Sequence, residues 1–481
     1  MDFGGYIDSS AKREGLFSGV DFQAVALYVA IVLIGCISIT GASFDNGSGN
    51  FFDFSHFYIK QLIWVGVAFV TAFVILLIDH NSFHKTSYLL YIFGIFLLLL
   101  TLLFGREVNG AKSWFMMGSF SIQPVEIVKI FTSIAVSRVM SEYSFSITNT
   151  RSLLRVLGVV ALPLAIIILQ NDTGSGIVFC SFILVLYREG LNRWLCLPAV
   201  LVAMLFVASF VISPFVLLFT MVTIAIVFDA AWQQELRQHT IYAALLILST
   251  ISIKLLSYWI LGDSVDSYTA LLISVVLSSI PILCSSIRRV EFRSTIVMMS
   301  LLICAGFVKL SDFIFNSILR PHQQGRIMSF LGIINDPLGK DYNVNQAKIA
   351  IGSGGFWGKG FLDGTQIKYG FVPERHTDFI FCSLAEEWGF AGAFVLLTLL
   401  LCLVLKLLAM GERQKESFGR VYCYCVASIL LFHIFVNVGM TIGLMPVMGI
   451  PLPFMSYGGS SLVAFTAMLF IAFRLDSANV R

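Results

Sequence analysis

Between Gly325 and Asp378 the chain reads Asp336-Pro337-Leu338-Gly339, then five glycines from Gly352 to Gly360, then Pro373-Glu374-Arg375-His376-Thr377-Asp378. On both sides of this polar run the sequence is nearly all apolar, and that contrast decides the fold class. Of 481 residues, 58% are apolar and 12% charged, with a mean hydropathy of +0.88; an ordinary soluble domain is about a quarter charged. A helix needs roughly 20 apolar residues to cross the hydrocarbon, and backbone polar groups in lipid must be satisfied within the segment. Repeated runs of that length predict an all-α polytopic membrane bundle. A polar stretch caught between them is where chemistry is expected.

Apolar runs fall near 21–43, 57–78, 87–104, 124–141, 152–170, 174–188, 193–212, 214–230, 240–261, 267–286, 294–316, 379–405, 420–441 and 458–474, about fourteen candidate spans. The first follows a polar segment with Lys12 and Arg13, and no small-residue cleavage pattern comes after it, so it reads as an uncleaved span. With the amino terminus inside, cytoplasmic segments hold eighteen Lys and Arg and outer segments nine, seven of these in the loop 317–377 and the others being Arg106 and Lys112. That asymmetry follows the positive-inside rule, puts both termini in the cytoplasm and makes the long loop extracytoplasmic. The basic residues gathered in that loop run against the rule, and attraction of an anionic group accounts for them. The loop is too long for a simple connector, and Val344 to Ile351 within it is apolar enough for a re-entrant or surface-lying helix. No internal repeat is visible, so a single integral domain over 1–481 is expected.

Several partner classes drop out early. A net charge of +3 is too small to imply nucleic acid. The nine cysteines lie almost entirely in apolar segments without a Cys-x-x-Cys, which suits buried thiols better than disulfides or a metal framework. His80 and His84 have helical ligand spacing, but a solvated loop edge explains them equally well.

Asp336 precedes Pro337, which disfavours helix at the aspartate, and Gly339 supplies the positive φ that finishes a turn. The carboxylate is either presented for chemistry or bonded to its own backbone. Gly352, Gly354, Gly355, Gly358 and Gly360 are either a flexible loop or a backbone surface able to approach an anion. Phe356, Trp357 and Lys359 among them suit a surface that meets lipid and charge together. Glu126 and Lys129 share a helix face behind Pro124, which is well placed to start that helix. Ionisable residues inside a span are expensive and usually functional, although a self-neutralising pair that fixes packing is the alternative. Asp172 reads as an N-cap, and Trp114 beside Lys112 as an interfacial anchor.

Taken in order, Asn109-Gly110-Ala111-Lys112-Ser113-Trp114, Gln123-Pro124-Val125-Glu126-Ile127-Val128-Lys129, Gln170-Asn171-Asp172-Thr173-Gly174, the run from Asp336 through Pro373–Phe379, and Pro446–Gly459 resemble the SEDS family of bacterial cell-wall polymerases. Arg375 and the Gly-Ser-Gly-Gly run at 352–355 resemble its elongation branch more than its division branch. Asp341, Ser113 and Asn171 depart from the family pattern. The resemblance implies a ten-span SEDS-type core with about four spans inserted over 210–295, and a catalytic loop at 317–378 outside the cytoplasmic (inner) membrane. It implies a glycosyltransferase that polymerises lipid II, a disaccharide-peptide on undecaprenyl diphosphate, together with a class B penicillin-binding transpeptidase and other rod-complex proteins as partners.

On that reading Asp336 is the general base. Lys129, Arg375, Arg326, Lys112, Trp114 and Lys359 bind substrate or its diphosphate, with Lys129 first among the cations. Glu126 orients Lys129, and His376, Asp378, Asp172 and Glu374 support the site. No resident cofactor or metal motif is called for, and a divalent ion accompanying the diphosphate is compatible with the chemistry. The competing readings are a flippase for the lipid-linked precursor, a division-type polymerase of the same family, and a scaffold. Ionisable residues concentrated in an outer loop favour chemistry over alternating access.

Overall fold

The computed structural model describes residues 19–43, 56–108, 110–117, 120–192, 212–233, 236–261, 266–289, 292–333 and 342–479, with a few positions between 201 and 209. Asp336, the rest of 334–341 and most of the 193–212 run lie outside the described residues. The chain divides into two compact units, one formed by Met1–Leu191 with Pro337–Arg481 and the other by Asn192–Asp336. The expected insertion at 210–295 falls within the second.

Among the described residues, ten helices are long and apolar enough to cross a membrane, so this is a multi-pass membrane protein. In the first unit they are α1 (Phe22–Ser43), α2 (Phe57–Leu77), α4 (Ser87–Phe104), α6 (Thr150–Leu169), α16 (Ile380–Arg413), α17 (Ser417–Thr441) and α18 (Gly459–Asn479), with a short α3 (His80–Lys85) between α2 and α4. In the second they lie within α9 (Pro214–Gln233), α10 (Leu236–Leu261) and α12 (Phe292–Phe313).

The other expected spans differ for local reasons. The run at 124–141 forms α5 (Pro124–Met140), only 17 residues, with Pro124 in its first turn as expected. Fourteen of those residues are buried, which makes α5 a central post of the bundle. The run at 174–188 is broken into α7 (Thr173–Val178), a 3₁₀ turn and α8 (Phe182–Arg188). The run at 267–286 forms a single helix, α11 (Ser267–Arg289).

The membrane-facing helices follow the chemistry of their interiors. Pro163 inside α6 removes the amide that would have bonded to the Val159 carbonyl. Tyr91 on α4 donates its hydroxyl to that carbonyl at 2.9 Å, so the orphan is satisfied from a neighbouring helix.

The all-α expectation needs one addition. Arg106–Val108 (β1), Ala111–Met117 (β2) and Phe120–Ile122 (β3) form an antiparallel sheet in the order β1-β2-β3, pairing Glu107 with Lys112 and Met116 with Ser121. Gly110, before β2, has φ 86, a left-handed conformation that tight hairpin turns use. The Lys112 amide donates to Gln170 O at 2.9 Å, tying the sheet to the end of α6.

The two ends of the first unit differ. At one end ion pairs link helix termini: Arg413 with Asp476 and with Asp21, Lys406 with Asp21, Arg420 with Glu189, Arg188 with Glu412, and Arg155 with Glu142. At the other, Arg375 donates to Ala42 O at the end of α1, and His376 packs on Phe57 at the start of α2.

Candidate functional site

The helix that follows the polar loop is not continuous. At 34 residues α16 would run about 51 Å if straight, but Gly389 has φ 66 and ψ −163, which breaks it into Ile380–Trp388 and a longer segment from Phe390. The glycine loop fills the break. Lys359 N and Gly360 N donate to the carbonyls of Glu386 and Glu387, capping the end of the first segment, each at 3.0 Å. Gly355 O and Phe356 O accept from Phe390 N and Ala391 N, at 2.9 and 3.0 Å, capping the start of the second. Side chains are excluded here, since a Cβ on Gly358 would collide with the Glu387 carbonyl and one on Gly354 with the Ala385 carbonyl. These glycines are required by close packing of two backbones, and the Lys359 and Gly360 amides are used inside the fold.

The same break places two carboxylates that the sequence reading passed over within the 379–405 run. Glu386 is fully buried. Its Oε1 accepts from Lys359 Nζ (2.7 Å), Gln366 N (3.0 Å), Ser353 Oγ (3.2 Å) and Thr365 Oγ1 (3.3 Å), and its Oε2 from Ile367 N (3.0 Å). A buried carboxylate with a cation and several donors is the arrangement that low-dielectric burial demands. All five donors come from residues 353–367, so Glu386 anchors the carboxy-terminal half of the polar loop. Glu387 Oε1 accepts from Leu362 N at 3.2 Å. Within the loop, α14 (Tyr342–Ser353) buries Ala347 and Ala350 and packs on α16, which bears out a helix over Val344–Ile351.

Pro373–Asp378 is held from four sides. Arg375 Nε donates to Ala42 O at 2.6 Å, and Ser383 Oγ donates to Arg375 O at 3.0 Å. The His376 ring stacks on Phe57, centroids 4.2 Å apart, meets Tyr457 edge-on, and its carbonyl accepts from Tyr457 N at 2.8 Å. Asn437 Nδ2 donates to Asp378 O at 2.9 Å. Glu374 sits at φ 52, an uncommon conformation for a non-glycine residue, and its carboxylate accepts from Thr377 Oγ1 at 2.8 Å. Burial in the ring stack lowers the His376 pKa below its ordinary value; Glu374 opposes that shift and Arg375 adds to it. A cavity of about 290 Å³ opens here, walled by Ala42, Ser43, Phe57, Gly370, Val372 and Pro373–His376. The cavity wall thus carries the Arg375 guanidinium and the His376 ring beside the Glu374 carboxylate.

Lys129 lies deeper. Its Nζ is 2.9 Å from Glu126 Oε1 and 2.8 Å from Oε2, 3.0 Å from His433 Nε2, and 5.2 Å from the centroid of the Phe465 ring. Its side chain is 1% exposed, so the ammonium is enclosed by these groups. Asp172 caps α7, accepting from Ser175 N at 3.1 Å, and also accepts from Gln123 Nε2 at 3.0 Å. Lys112 is exposed and Trp114 half-buried, both on β2. Arg326 belongs to α13 (Pro321–Phe330) of the second unit. Among the described residues no three His, Cys, Asp or Glu side chains converge as metal ligands.

Glu386, Glu387, His433 and Asn437 are the site-forming residues missed from sequence. The Glu386-Glu387 pair within an apolar run was a usable signal. The partners of His433 and Asn437 are set by tertiary packing.

A family model described as a cell cycle protein, covering FtsW, RodA and SpoVE, matches residues 22–229 and 213–480. The chain belongs to the FtsW/RodA/SpoVE family. Within that family it is 32% identical over 453 residues to the peptidoglycan glycosyltransferase RodA of Treponema pallidum, an alignment spanning 94% of this chain and 96% of that one. It is 44% identical over 172 residues to the peptidoglycan glycosyltransferase MrdB of Escherichia coli (strain K12), covering 36% and 46% of the two chains. The fold resembles a solved structure described as structural coordination of polymerization and crosslinking by a peptidoglycan synthase complex (TM-score 0.61, 23% identity, 96% of this chain and 99% of that one). It also resembles the crystal structure of rod shape determining protein RodA of Thermus thermophilus (TM-score 0.55, 20% identity, 96% and 98%). The FtsW/RodA/SpoVE fold is thus shared over nearly the whole chain.

Proposed function

We propose that this chain is a peptidoglycan glycosyltransferase of the RodA branch, polymerising lipid II into β-1,4 glycan strands during cell elongation. The observation that carries this reading is the near full-length match to a peptidoglycan glycosyltransferase RodA. The rigidly held Pro373–Asp378 loop beside a cavity with Arg375 on its wall supports it.

The reaction needs a base to take the proton from the acceptor GlcNAc 4-hydroxyl while that oxygen attacks the anomeric carbon of the donor MurNAc. The bond to the undecaprenyl diphosphate breaks, and direct displacement inverts the α-linked donor to a β-1,4 bond. Asp336, in the Asp336-Pro337 pair of the outer loop sequence, is the proposed base. Asp336 and Arg326 enter from the sequence alone. Arg375 and Lys359 are the core-unit cations proposed to meet the leaving diphosphate, with Lys112 and Trp114 toward the substrate's outer portion. Lys129, first among the cations on sequence grounds, is enclosed in this conformation, so its proposed part is to hold α5 in place with Glu126 as its compensating charge. His376, Asp378, Asp172 and Glu374 brace the backbone around the cavity.

The same reading places the protein in the bacterial cytoplasmic membrane with both termini inside. The ion-paired end of the bundle then faces the cytoplasm and the glycine-loop end faces out. A class B penicillin-binding transpeptidase is the proposed partner, supported by the likeness to a peptidoglycan synthase complex. The test is purified protein with lipid II, alone and with that transpeptidase, reading glycan chains on a gel and lipid II translocation in vesicles. Glycan chains are expected. Translocation without any chains would overturn the polymerase in favour of a flippase.

A further inference from the structure

Two side chains one turn apart on α17 hold together three segments that are distant in sequence. An ammonium only donates, so His433 Nε2 accepts from Lys129 at 3.0 Å. The ring's proton then sits on Nδ1, which faces Pro451 O at 3.3 Å and donates to it. Asn437 donates from Nδ2 to Ile450 O at 2.7 Å and to Asp378 O at 2.9 Å. Both side chains are buried. They share a helix face because their spacing is four, and they grip the consecutive carbonyls of Ile450 and Pro451.

The gripped loop is stiff. Ser456 Oγ accepts from Leu452 N at 2.8 Å, Ser456 N returns a bond to Leu452 O at 3.1 Å, and Phe454 is held at φ 64. A bulky residue in that region persists only where its surroundings over-determine it. One residue after Ser456, Tyr457 N donates to His376 O. A short rigid path therefore runs from Lys129 through His433 to Ile450–Tyr457, and from there to the Pro373–Asp378 loop. Asn437 closes the circuit directly to Asp378.

We propose that His433 and Asn437 act as one positioning unit that keeps the Pro373–Asp378 loop in register with the buried Glu126–Lys129 pair. This rests on the reading of that loop as substrate-facing. Neither residue touches the cavity, so their loss should leave substrate affinity intact and misplace the reacting groups.

The test is steady-state polymerisation of lipid II by the full-length protein with its transpeptidase, comparing kcat with KM. His433→Phe keeps the ring that packs edge-on against Phe465 and removes both nitrogens; Asn437→Leu keeps the volume and removes both donors. Each is expected to lower kcat by about tenfold to a hundredfold with KM within about twofold, the scale of a misplacement remote from the chemistry. The double variant is expected to be no worse than the poorer single, because parts of one unit are not additive. His433→Gln, whose amide reaches Nε2 and both accepts and donates, should restore kcat to within about threefold. His433→Asn, which reaches only the Nδ1 position, should not, and this polar pair decides the matter if an apolar variant fails to fold. Unchanged kcat in the single variants, effects that multiply in the double, or equal activity of His433→Gln and His433→Asn would overturn the positioning unit. A wild-type protein that makes no glycan would instead overturn the polymerase reading itself.

Discussion

The first unit and the second unit solve the same problem, apolar helices in lipid, with different interiors. The first unit buries Glu126, Lys129, Glu386, Glu387, His433 and Asn437, and the charged or hydrogen-bonding partners around them come from segments far apart in the chain. In the second unit the buried cluster is Leu205, Leu217, Leu218, Val222, Leu246, Tyr268, Leu271, Val275, Leu301, Ala305 and Val308. Hydroxyls there, such as those of Thr220, Thr223, Ser249, Thr250, Ser274 and Ser311, bond back to carbonyls three or four residues earlier in their own helices. A helix that satisfies its own polar atoms needs no particular neighbour. A buried carboxylate needs several at once, so polar burial marks where the sequence has been spent on geometry.

The largest effect that sharpens this contrast is expected from Glu386→Ala. It strips the acceptor from Lys359 and from the amides of Gln366 and Ile367, and should cost about 3–5 kcal/mol, read as a large drop in the thermal unfolding midpoint in detergent. An unchanged midpoint would mean the glycine loop is held by packing alone. In the second unit, Leu218→Ala removes a fully buried side chain. Lipid tails are as apolar as leucine, so mainly the packing loss remains, about 2 kcal/mol at the low end of such substitutions. Lipid II polymerisation should stay within about twofold of wild type; a collapse of activity without unfolding would mean that this buried cluster positions the segment that carries Arg326 and Asp336.

A smaller effect follows pH. With the His376 pKa held below its ordinary 6.5, the folded state binds fewer protons than the unfolded state. Its contribution is therefore full above pH 6.5 and is lost as the pH falls below that value. Wild-type melting midpoints should decline from pH 7 to pH 5 by more than those of His376→Phe, which keeps the stacked ring; parallel declines would remove His376 from the account. Smallest of all, Ser249→Ala deletes a hydroxyl bonded to Leu246 O on its own helix and should shift stability by no more than about 0.5 kcal/mol.

What was legible in the sequence divides along the same line. Spans were legible because apolar length is a local property, and so were the Pro124 start of α5, the Asp172 cap and the Val344–Ile351 helix. The β1–β2 hairpin carried its own signal in Asn109-Gly110, but β1 has only three residues and the seven of β2, Ala-Lys-Ser-Trp-Phe-Met-Met, do not alternate. The break at Gly389 was hidden inside continuous apolar composition. What Lys129 touches depends on His433, 304 residues away, and no local pattern announces that contact. Likewise the glycines of 352–360 looked open to a ligand or flexible, and only the broken helix shows that two backbones meet there.

The central claim is that an outer-loop carboxylate performs glycan polymerisation on a rigid core. Its most direct test is Asp336→Asn in purified protein supplied with lipid II and the proposed partner transpeptidase, with polymerisation rate and lipid II binding measured together. The account predicts binding within a few fold of wild type and a polymerisation rate lower by about a hundredfold or more. Wild-type polymerisation by Asp336→Asn would contradict it.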